Sequence, residues 1–248
     1  MLLLSLLPAM GIPGKGQAAP QSDSVVEVYG PGGPLGPMKE LADKFSEETG
    51  IKVEVTAGPE STWIGQAKKD ADIIYGGSEY MLTDFMLKHP GMLEEKKRTE
   101  LYSRAAGILV RKGNPKKIGS LEDLTKKGVK ILDVNGAGQL GMWEDLAGRK
   151  GIISGIGSNI AVSVKSSAEA IELWKSDSSY DAWITYESWH HRLKGETELV
   201  RLPAEDRLYR GTPICLTAQS DNKKEARKFI EYLKTEESHR VFQKWGWK

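Results

Sequence analysis

The chain has 248 residues, of which 39% are apolar and 28% charged, a composition typical of an ordinary globular protein with a buried core. This length suits one large domain or two of about 100 residues each. The 35 Lys and Arg residues balance 34 Asp and Glu residues, and a net charge of +1 provides no strong field for nucleic acid or an anionic membrane. No nucleic-acid partner is therefore predicted.

A short apolar run opens the chain at residues 2–7 and continues through Pro8 to Met10. It is too short to span a membrane and is typical of the apolar core of a secretory signal. Gly16 and Ala18 place small residues three and one positions before a cleavage point. We predict a signal peptide over residues 1–18, cleaved near residue 18, and a periplasmic mature protein. The alternative is an N-terminal extension on a cytoplasmic protein.

From residue 25 the chain alternates strand-like runs with helical patterns, an order typical of right-handed βαβ units on a parallel sheet. Pro37 suits a first helical turn, Gly50 suits a helix C-terminus, and Ser61 and Ser78 suit N-caps. The predicted elements are strand 25–29, helix 35–49, strand 52–56, helix 61–69, strand 71–75 and helix 78–88.

A second series with the same alternation runs from residue 121 to residue 202. An isolated apolar strand precedes it at 107–111, and another follows it at 212–217. We predict that these strands are paired crossings between two lobes and that two C-terminal helices pack back on the first lobe. Lobe 1 is then residues 22–110 plus 212–248, and lobe 2 is residues 111–211. A single continuous doubly wound domain remains the alternative.

Three strand-like runs end in glycine-rich turns, at residues 30–33, 76–78 and 136–138. Each turn is predicted to lead into a helix, so that unpaired backbone N–H groups and the positive end of the helix dipole face outward. Several such turns converging on one cleft would form a receptor for an oxyanion. The sequence predicts that they converge, because ligands of open α/β sheets sit beyond the carboxyl ends of the strands.

Five stretches in the right order resemble the type II periplasmic solute-binding proteins of the molybdate- and sulfate-binding superfamily. They are residues 41–53, 72–79, 109–115, 121–124 and 180–186. Residues 29–34 and 56–60 are most similar to the accessory colonization factor C group within it. The resemblance implies an α/β Venus-flytrap fold with two lobes, each a mostly parallel sheet flanked by helices, joined by a two-stranded hinge. It also implies ligand capture between the lobes and, in transport members, delivery to an inner-membrane transporter.

The predicted ligand-binding residues come from both lobes. Ser61, Thr62 and Ser78 offer hydroxyl donors to the ligand or, as the alternative, cap their own helices. The resemblance implies that Thr185-Tyr186 matches a strand-end tyrosine of the family whose hydroxyl meets the ligand. Packing under the following helix is the alternative for Tyr186. The full set is Gly30, Gly32, Gly33, Ser61, Thr62, Ser78, Gly136, Ala137, Gly138, Gln139, Thr185 and Tyr186.

Two classes of anion fit this set. Backbone dipoles alone favour a sulfate-like oxyanion, because they surround its charge without a buried counter-charge. A carboxylate or a phosphorylated metabolite would instead call for an arginine fork. The candidates near the lobe crossings are Arg104, Arg111, Arg201 and Arg210.

Other functions lack their sequence signs. The first glycine turn has Leu35 where a dinucleotide fingerprint needs its third glycine, and no phosphate-binding loop with a Gly-Lys-Ser/Thr ending is present. Glu187, His190 and His191 share one helical turn without further ligands, and Cys215 lies in an apolar strand without a paired base. We therefore predict no cofactor, no metal and no enzymatic activity.

The predicted function is capture of a small anion for uptake or sensing. The alternative is a surface or secreted colonisation factor, an adhesin that uses the same lobes as a scaffold. The sequence leaves the oligomeric state open, with a homodimer as one alternative.

Overall fold

The computed structural model describes residues 24–248, so the predicted signal peptide lies outside the described residues. The strands are β1 Val25–Gly30, β2 Lys52–Ala57, β3 Ile73–Tyr75, β4 Thr99–Glu100, β5 Arg104–Arg111, β6 Ile131–Val134, β7 Ile160–Val164, β8 Ala182–Tyr186, β9 Thr197–Arg201, β10 Tyr209–Arg210 and β11 Pro213–Leu216. The α-helices are α1 Leu35–Thr49, α2 Glu60–Asp70, α3 Glu79–Lys88, α4 Met142–Lys150, α5 Ile153–Gly157, α6 Ser167–Ser176, α7 Ser188–Arg192, α8 Lys223–Leu233 and α9 Glu236–Lys244. Short 3-10 turns occupy Glu95–Lys97, Glu122–Thr125, Ala137–Gln139 and Ala204–Asp206.

The first lobe is built on a sheet with the strand order β2-β1-β3-β11-β4. Its strands β1, β2 and β3 run parallel, while β11 is antiparallel to both β3 and β4. The C-terminal helices α8 and α9 pack on this sheet, because Phe229 and Phe242 share a core with Leu41 of α1. The C-terminal segment therefore packs in the same lobe as the N-terminal segment, and the second lobe lies between them in the sequence.

The second lobe has a sheet with the order β10-β5-β8-β6-β7, and β9 pairs with β5 beside it. Strands β6, β7 and β8 are parallel, whereas β5 is antiparallel to β8, β9 and β10. The predicted two-lobed α/β fold is confirmed. Both sheets are mixed, because strands next to the lobe crossings add antiparallel edges to a parallel centre.

The chain passes between the lobes at residues 101–103 and again at residues 211–212. There the backbone N–H of Leu101 donates to the carbonyl of Thr212 at 3.1 Å, which holds the two segments side by side. The predicted crossing strands do not pair with each other, since β5 belongs to the second sheet and β11 to the first. The predicted lobe boundary at residue 110 cuts through β5, and we propose to place it before Arg104.

Local signals account for several helix ends. Gly50 ends α1 with a left-handed φ of 72°, and its N–H donates to Ser46 at 3.0 Å. Ser78 caps α3, since its hydroxyl accepts from the N–H of Met81 at 3.2 Å. The predicted cap at Ser61 is wrong because α2 begins one residue earlier, with Pro59 at the N-cap position. Proline there fixes the entry of the chain without a side-chain hydrogen bond.

The helix predicted to follow the third glycine-rich turn begins later than expected, at Met142. Residues Ala137–Gln139 form a 3-10 turn, and Gly141, with a left-handed φ of 70°, separates it from α4. The third glycine-rich turn therefore leads into a short turn and not directly into an α-helix. Within residues 24–248, no helix is long and apolar enough to cross a membrane.

Candidate functional site

The three glycine-rich turns meet where the lobes face each other. The hydroxyl of Tyr75 donates to the carbonyl of Pro31 at 3.0 Å, which joins the first turn to the strand that leads into the second. A Cβ added to Gly138 in the second lobe would lie 2.5 Å from the carbonyl oxygen of Gly77 in the first. The carboxyl ends of β1, β3 and β6 thus meet where the two lobes face each other, a region here called the cleft.

Arg104 lies at the centre of this cleft, at the first position of β5. Its side chain is 2% exposed, and Nη2 donates to the carbonyl of Gly77 at 2.6 Å. Its Nη1 reaches the first turn, where a Cβ on Gly33 would lie 2.9 Å from it. The guanidinium carbon lies 3.8 Å from the ring centroid of Tyr186. One cation therefore touches turns from the first lobe and an aromatic ring from the second.

The charge of Arg104 has no carboxylate partner within 4.0 Å among the described residues. Its Nε and Nη1 atoms are buried and make no hydrogen bond to any protein atom of residues 24–248. Burial lowers the pKa of the guanidinium to about 10, and the negative charge of Glu79 opposes that shift only in part. A buried, unpaired cation costs several kcal/mol, so the cleft is electrostatically suited to an anion.

Tyr186 supports the cleft and does not present a free hydroxyl. Its side chain is 1% exposed, and its hydroxyl donates to the carbonyl of Gly138 in a short hydrogen bond. Burial raises the pKa of this phenol to about 12. The residue thus fixes the third turn with its hydroxyl and supports Arg104 with its ring.

Two other predicted residues bury polar atoms that have no hydrogen-bond partner among residues 24–248. Gln139 donates from Nε2 to the hydroxyl of Ser167 at 2.8 Å, which leaves its buried Oε1 without a donor. Thr185, 0% exposed, has a hydroxyl without a partner. Both residues belong to the second-lobe segments that carry Gly138 and Tyr186. A buried polar group without a partner is unusual in a folded protein and often marks a binding position.

The remaining glycine-turn residues frame the cleft. Gly30 ends β1 against the ring of Tyr75, and Gly136 lies against the carbonyl of Lys165 at the end of β7. Ala137, between Gly136 and Gly138, has a left-handed φ of 49°. The hydroxyl of Ser78 serves its own helix as a cap.

Gly32 makes a contact between the lobes that the sequence did not indicate. Its carbonyl accepts from Nη1 of Arg192, in α7 of the second lobe, at 3.2 Å. Nothing near Arg192 in the sequence marks it as a site residue, because its partner lies 160 positions away.

Ser61 and Thr62 lie apart from this group. Both are exposed in the first turn of α2, and the Thr62 hydroxyl donates to the carbonyl of Pro59 at 2.7 Å. Within the described part of the chain, no hydrogen bond joins either residue to Arg104 or to the three turns. We therefore propose that Ser61 and Thr62 do not belong to the binding site.

Each of the other candidate arginines has a hydrogen-bond or ion-pair partner of its own, although Arg210 lies opposite Arg104 in the register of β10 and β5. Arg111 donates to the carbonyls of Trp174, Asp177 and Tyr180 at 2.5 to 2.8 Å and so closes the C-terminal end of α6. Arg210 pairs with Asp145 at 2.5 Å, and Arg201 is exposed beside Glu187 at 3.5 Å. The sequence signal for Arg104 is a charged residue directly before a run of small and apolar residues, 105–110, near a predicted crossing.

A metal site finds no support in the described residues. No group of three or more His, Cys, Asp and Glu side chains in residues 24–248 is arranged to hold an ion. His190 is 2.9 Å from the hydroxyl of Thr197, and Cys215 is fully buried in β11.

Residues 26–248 match the family described as bacterial extracellular solute-binding protein. The chain belongs to this family. The predicted resemblance to solute-binding proteins is therefore confirmed, and the family is one of binding proteins rather than enzymes, as the sequence predicted. Membership in an extracellular family also agrees with export.

Solved structures agree with this assignment. Peb3 from Campylobacter jejuni is 35% identical to this chain, with a TM-score of 0.82 over 90% of this chain and 99% of that chain. A structure of PEB3 bound to L-phospholactate is 36% identical, with a TM-score of 0.84 over the same shares. The sulfate-binding protein SubI from Mycobacterium tuberculosis H37Rv shares the fold at 15% identity, with a TM-score of 0.73 over 90% of this chain and 86% of that chain. No curated protein sequence matches the chain.

Proposed function

We propose that this protein captures a small organic anion with a carboxylate, a phosphate or both, and holds it between its lobes with Arg104 as the charge partner. One observation carries the proposal. Arg104 is a buried guanidinium whose Nε and Nη1 nitrogens donate to no atom of residues 24–248, and no carboxylate of these residues lies within 4.0 Å of it. An anion placed there would satisfy both the charge and the hydrogen bonds of this group.

The arginine favours an organic anion over a bare tetrahedral oxyanion. A receptor that binds through backbone dipoles alone has no need of a buried cation, whose desolvation is costly. The planar guanidinium suits two-point contact with a carboxylate or a phosphate. The buried Oε1 of Gln139 is an acceptor without a donor among residues 24–248, and a singly protonated phosphate on the ligand would satisfy it. Support also comes from PEB3, whose structure with L-phospholactate holds a molecule with one phosphate and one carboxylate.

Capture would couple binding to closure of the lobes. The contact of Gly138 with Gly77 and the hydrogen bond of Arg192 to Gly32 both join the lobes on either side of Arg104. An anion that touches both lobes stabilises the closed form by its differential affinity. A closed, loaded protein in the periplasm would deliver its ligand to an inner-membrane transporter for uptake. A homodimer remains a prediction.

The test compares two arginines that the sequence could not tell apart. Protein purified without added organic anions is titrated with L-phospholactate, lactate, inorganic phosphate, sulfate and molybdate by isothermal calorimetry. We expect L-phospholactate to bind most tightly and Arg104→Met to weaken its binding by at least 100-fold. Arg201→Met, which removes an exposed charge, should change the affinity less than twofold.

Two outcomes would count against the proposal. If sulfate or molybdate bound more tightly than every organic anion tested, the site would be one that binds a bare oxyanion through backbone dipoles. Full affinity in Arg104→Met would place the ligand elsewhere. Adhesion to host cells that persists unchanged in Arg104→Met, without binding of any small anion, would favour the colonisation-factor alternative.

A further inference from the structure

We infer that Trp247 is a positioning residue for ligand binding, because its indole holds the Arg104 guanidinium in place from a segment that contacts both lobes. The inference rests on the proposed function of Arg104. The guanidinium carbon lies 4.9 Å from the centroid of the Trp247 ring, in addition to its 3.8 Å approach to Tyr186. Two aromatic rings therefore face a cation that has no carboxylate beside it.

Trp247 itself is tightly fixed. Its side chain is 4% exposed, and its indole N–H donates to the hydroxyl of Thr212 at 2.9 Å. The next residue, Lys248, donates its backbone N–H to the carbonyl of Ser103 at 2.7 Å. Thr212 and Ser103 lie on the two segments that pass between the lobes. The ring beside Arg104 is thus anchored to both crossings.

The segment 245–248 also contacts both lobes. On the first lobe, the indole N–H of Trp245 donates to Glu40 of α1 at 2.9 Å. On the second lobe, a Cβ added to Gly246 would lie 2.8 Å from the ring of His191 and 3.0 Å from Ser188, both in α7. Gly246 has a left-handed φ of 92°, which lets the chain turn at this close approach. A rotation of one lobe against the other must therefore move this segment.

The segment 245–248 therefore links the relative position of the two lobes to the position of the Arg104 guanidinium. Among residues 24–248, the Arg104 side chain makes one hydrogen bond, to the carbonyl of Gly77, and the two rings restrict its remaining orientation. A guanidinium that is free to tilt loses the preorganisation that tight binding requires. Desolvated cation–π contacts are strong enough that loss of one ring should weaken ligand binding by about tenfold.

The experiment uses Trp247→Leu, which removes the ring, and Trp247→Phe, which keeps an aromatic face. Trp245→Leu is the matched control, since it removes a tryptophan from the same segment that does not face Arg104. Calorimetry measures the affinity for L-phospholactate. NMR of the 15N-labelled, ligand-free protein measures the Nε–H resonance of Arg104, which the ring currents of the two aromatic faces displace.

We expect Trp247→Leu to weaken binding about tenfold and to move the Arg104 Nε–H resonance toward its value in unstructured peptides. Trp247→Phe should retain affinity within about threefold, and Trp245→Leu within about twofold. If Trp247→Leu does not fold, Thr212→Val replaces it. That variant frees the indole without deleting it and should broaden or shift the same resonance.

The results separate this inference from the proposed function. If Arg104→Met abolishes binding but Trp247→Leu leaves both the affinity and the resonance unchanged, the role of Trp247 is refuted while the function stands. Equal loss of affinity in Trp247→Leu and Trp245→Leu, with the resonance unmoved, would show a merely structural effect and also refute it. If no anion binds even the unmodified protein, the proposed function fails, and the resonance alone decides whether Trp247 positions Arg104.

Discussion

The backbone of Gly138 in the second lobe packs directly against the carbonyl of Gly77 in the first, so closely that a Cβ on Gly138 would lie 2.5 Å from that oxygen. The same carbonyl accepts the 2.6 Å hydrogen bond from Arg104. The carbonyl oxygen of Gly77 therefore takes part both in the contact between the lobes and in the hydrogen bond that anchors Arg104. Under the proposed function, closure and ligand binding are coupled at this point.

We expect Gly138→Val to prevent closure while leaving each lobe folded, because the clash lies between the lobes and not within a core. At a ligand concentration of 100 times Kd, the unmodified protein should gain about 2.7 kcal/mol of stability by mass action. Gly138→Val should gain close to none. Thermal unfolding with and without L-phospholactate measures the difference.

Gly195→Val is the control for this prediction. A Cβ at Gly195 would meet no atom within 4 Å, so this variant should keep the full ligand-induced increase in melting temperature. An undiminished increase in Gly138→Val would remove the third glycine-rich turn from the site.

Arg104→Met should make the ligand-free protein more stable although it destroys binding. Burial disfavours the charged guanidinium, and replacing a buried charge by an apolar side chain of similar length is often stabilising. We expect the free energy of unfolding to rise by about 1–2 kcal/mol, measured by urea denaturation without ligand. A loss of more than 2 kcal/mol would mean that Arg104 serves stability as much as binding.

Much of the fold could be predicted because its signals are local. The alternation of strands and helices from residue 25 to residue 88 follows from hydrophobic periodicity and from residues such as Pro37, Gly50 and Ser78. Strands β4 and β10 have two residues each, too short to show any period. Their pairing depends on the crossings, which join residues more than 100 positions apart.

The site was predictable only in outline. The rule that ligands sit beyond strand ends identifies the glycine turns without knowledge of the fold. It does not distinguish Arg104 from Arg111, because the partners of Arg111 come from residues 174–180 and only the folded chain brings them together. The hydroxyl of Tyr186, its carbonyl partner on Gly138 and the ring of Trp247 likewise meet through tertiary contacts alone.

Asp72 joins the start of β3 to the segment before α8, and we expect Asp72→Asn to destabilise the first lobe. Its carboxylate is 1% exposed and accepts from the backbone N–H of Glu27 at 2.9 Å, from Ser220 at 2.6 Å and from Asn222 at 3.2 Å. An amide keeps one acceptor oxygen and replaces the other by an Nδ2 donor, so at least one of these three hydrogen bonds is lost. The free energy of unfolding should fall by about 2–3 kcal/mol.

Urea denaturation at neutral pH measures the effect of Asp72→Asn. Asp84→Asn, an exposed site on α3 that pairs with Lys88, provides the control and should change stability by less than about 0.5 kcal/mol. Similar losses in the two variants would show that burial and the three donors do not determine the effect.

Glu144 should lower the free energy of unfolding as the pH rises, whereas a salt-bridged carboxylate raises it. Burial, reinforced by the negative charges of Asp133 and Asp145, raises the pKa of Glu144. Burial also raises the pKa of Asp133, although its hydrogen bond from Ser163 opposes this. Arg210 faces the same group of carboxylates through its ion pair with Asp145.

Because the pKa of Glu144 is higher in the folded than in the unfolded protein, its contribution is fully present below the unfolded value and is lost as the pH rises through the folded value. Glu144→Gln removes this loss. After allowance for partial solvent screening, the variant should match the unmodified protein near pH 4 and be about 0.5–1 kcal/mol more stable at pH 7. Denaturation at a series of pH values tests this, with the exposed Glu205→Gln as a control whose effect should stay constant. A variant that is less stable at pH 7 would show that the Glu144 carboxylate is stabilised, and not strained, by its surroundings.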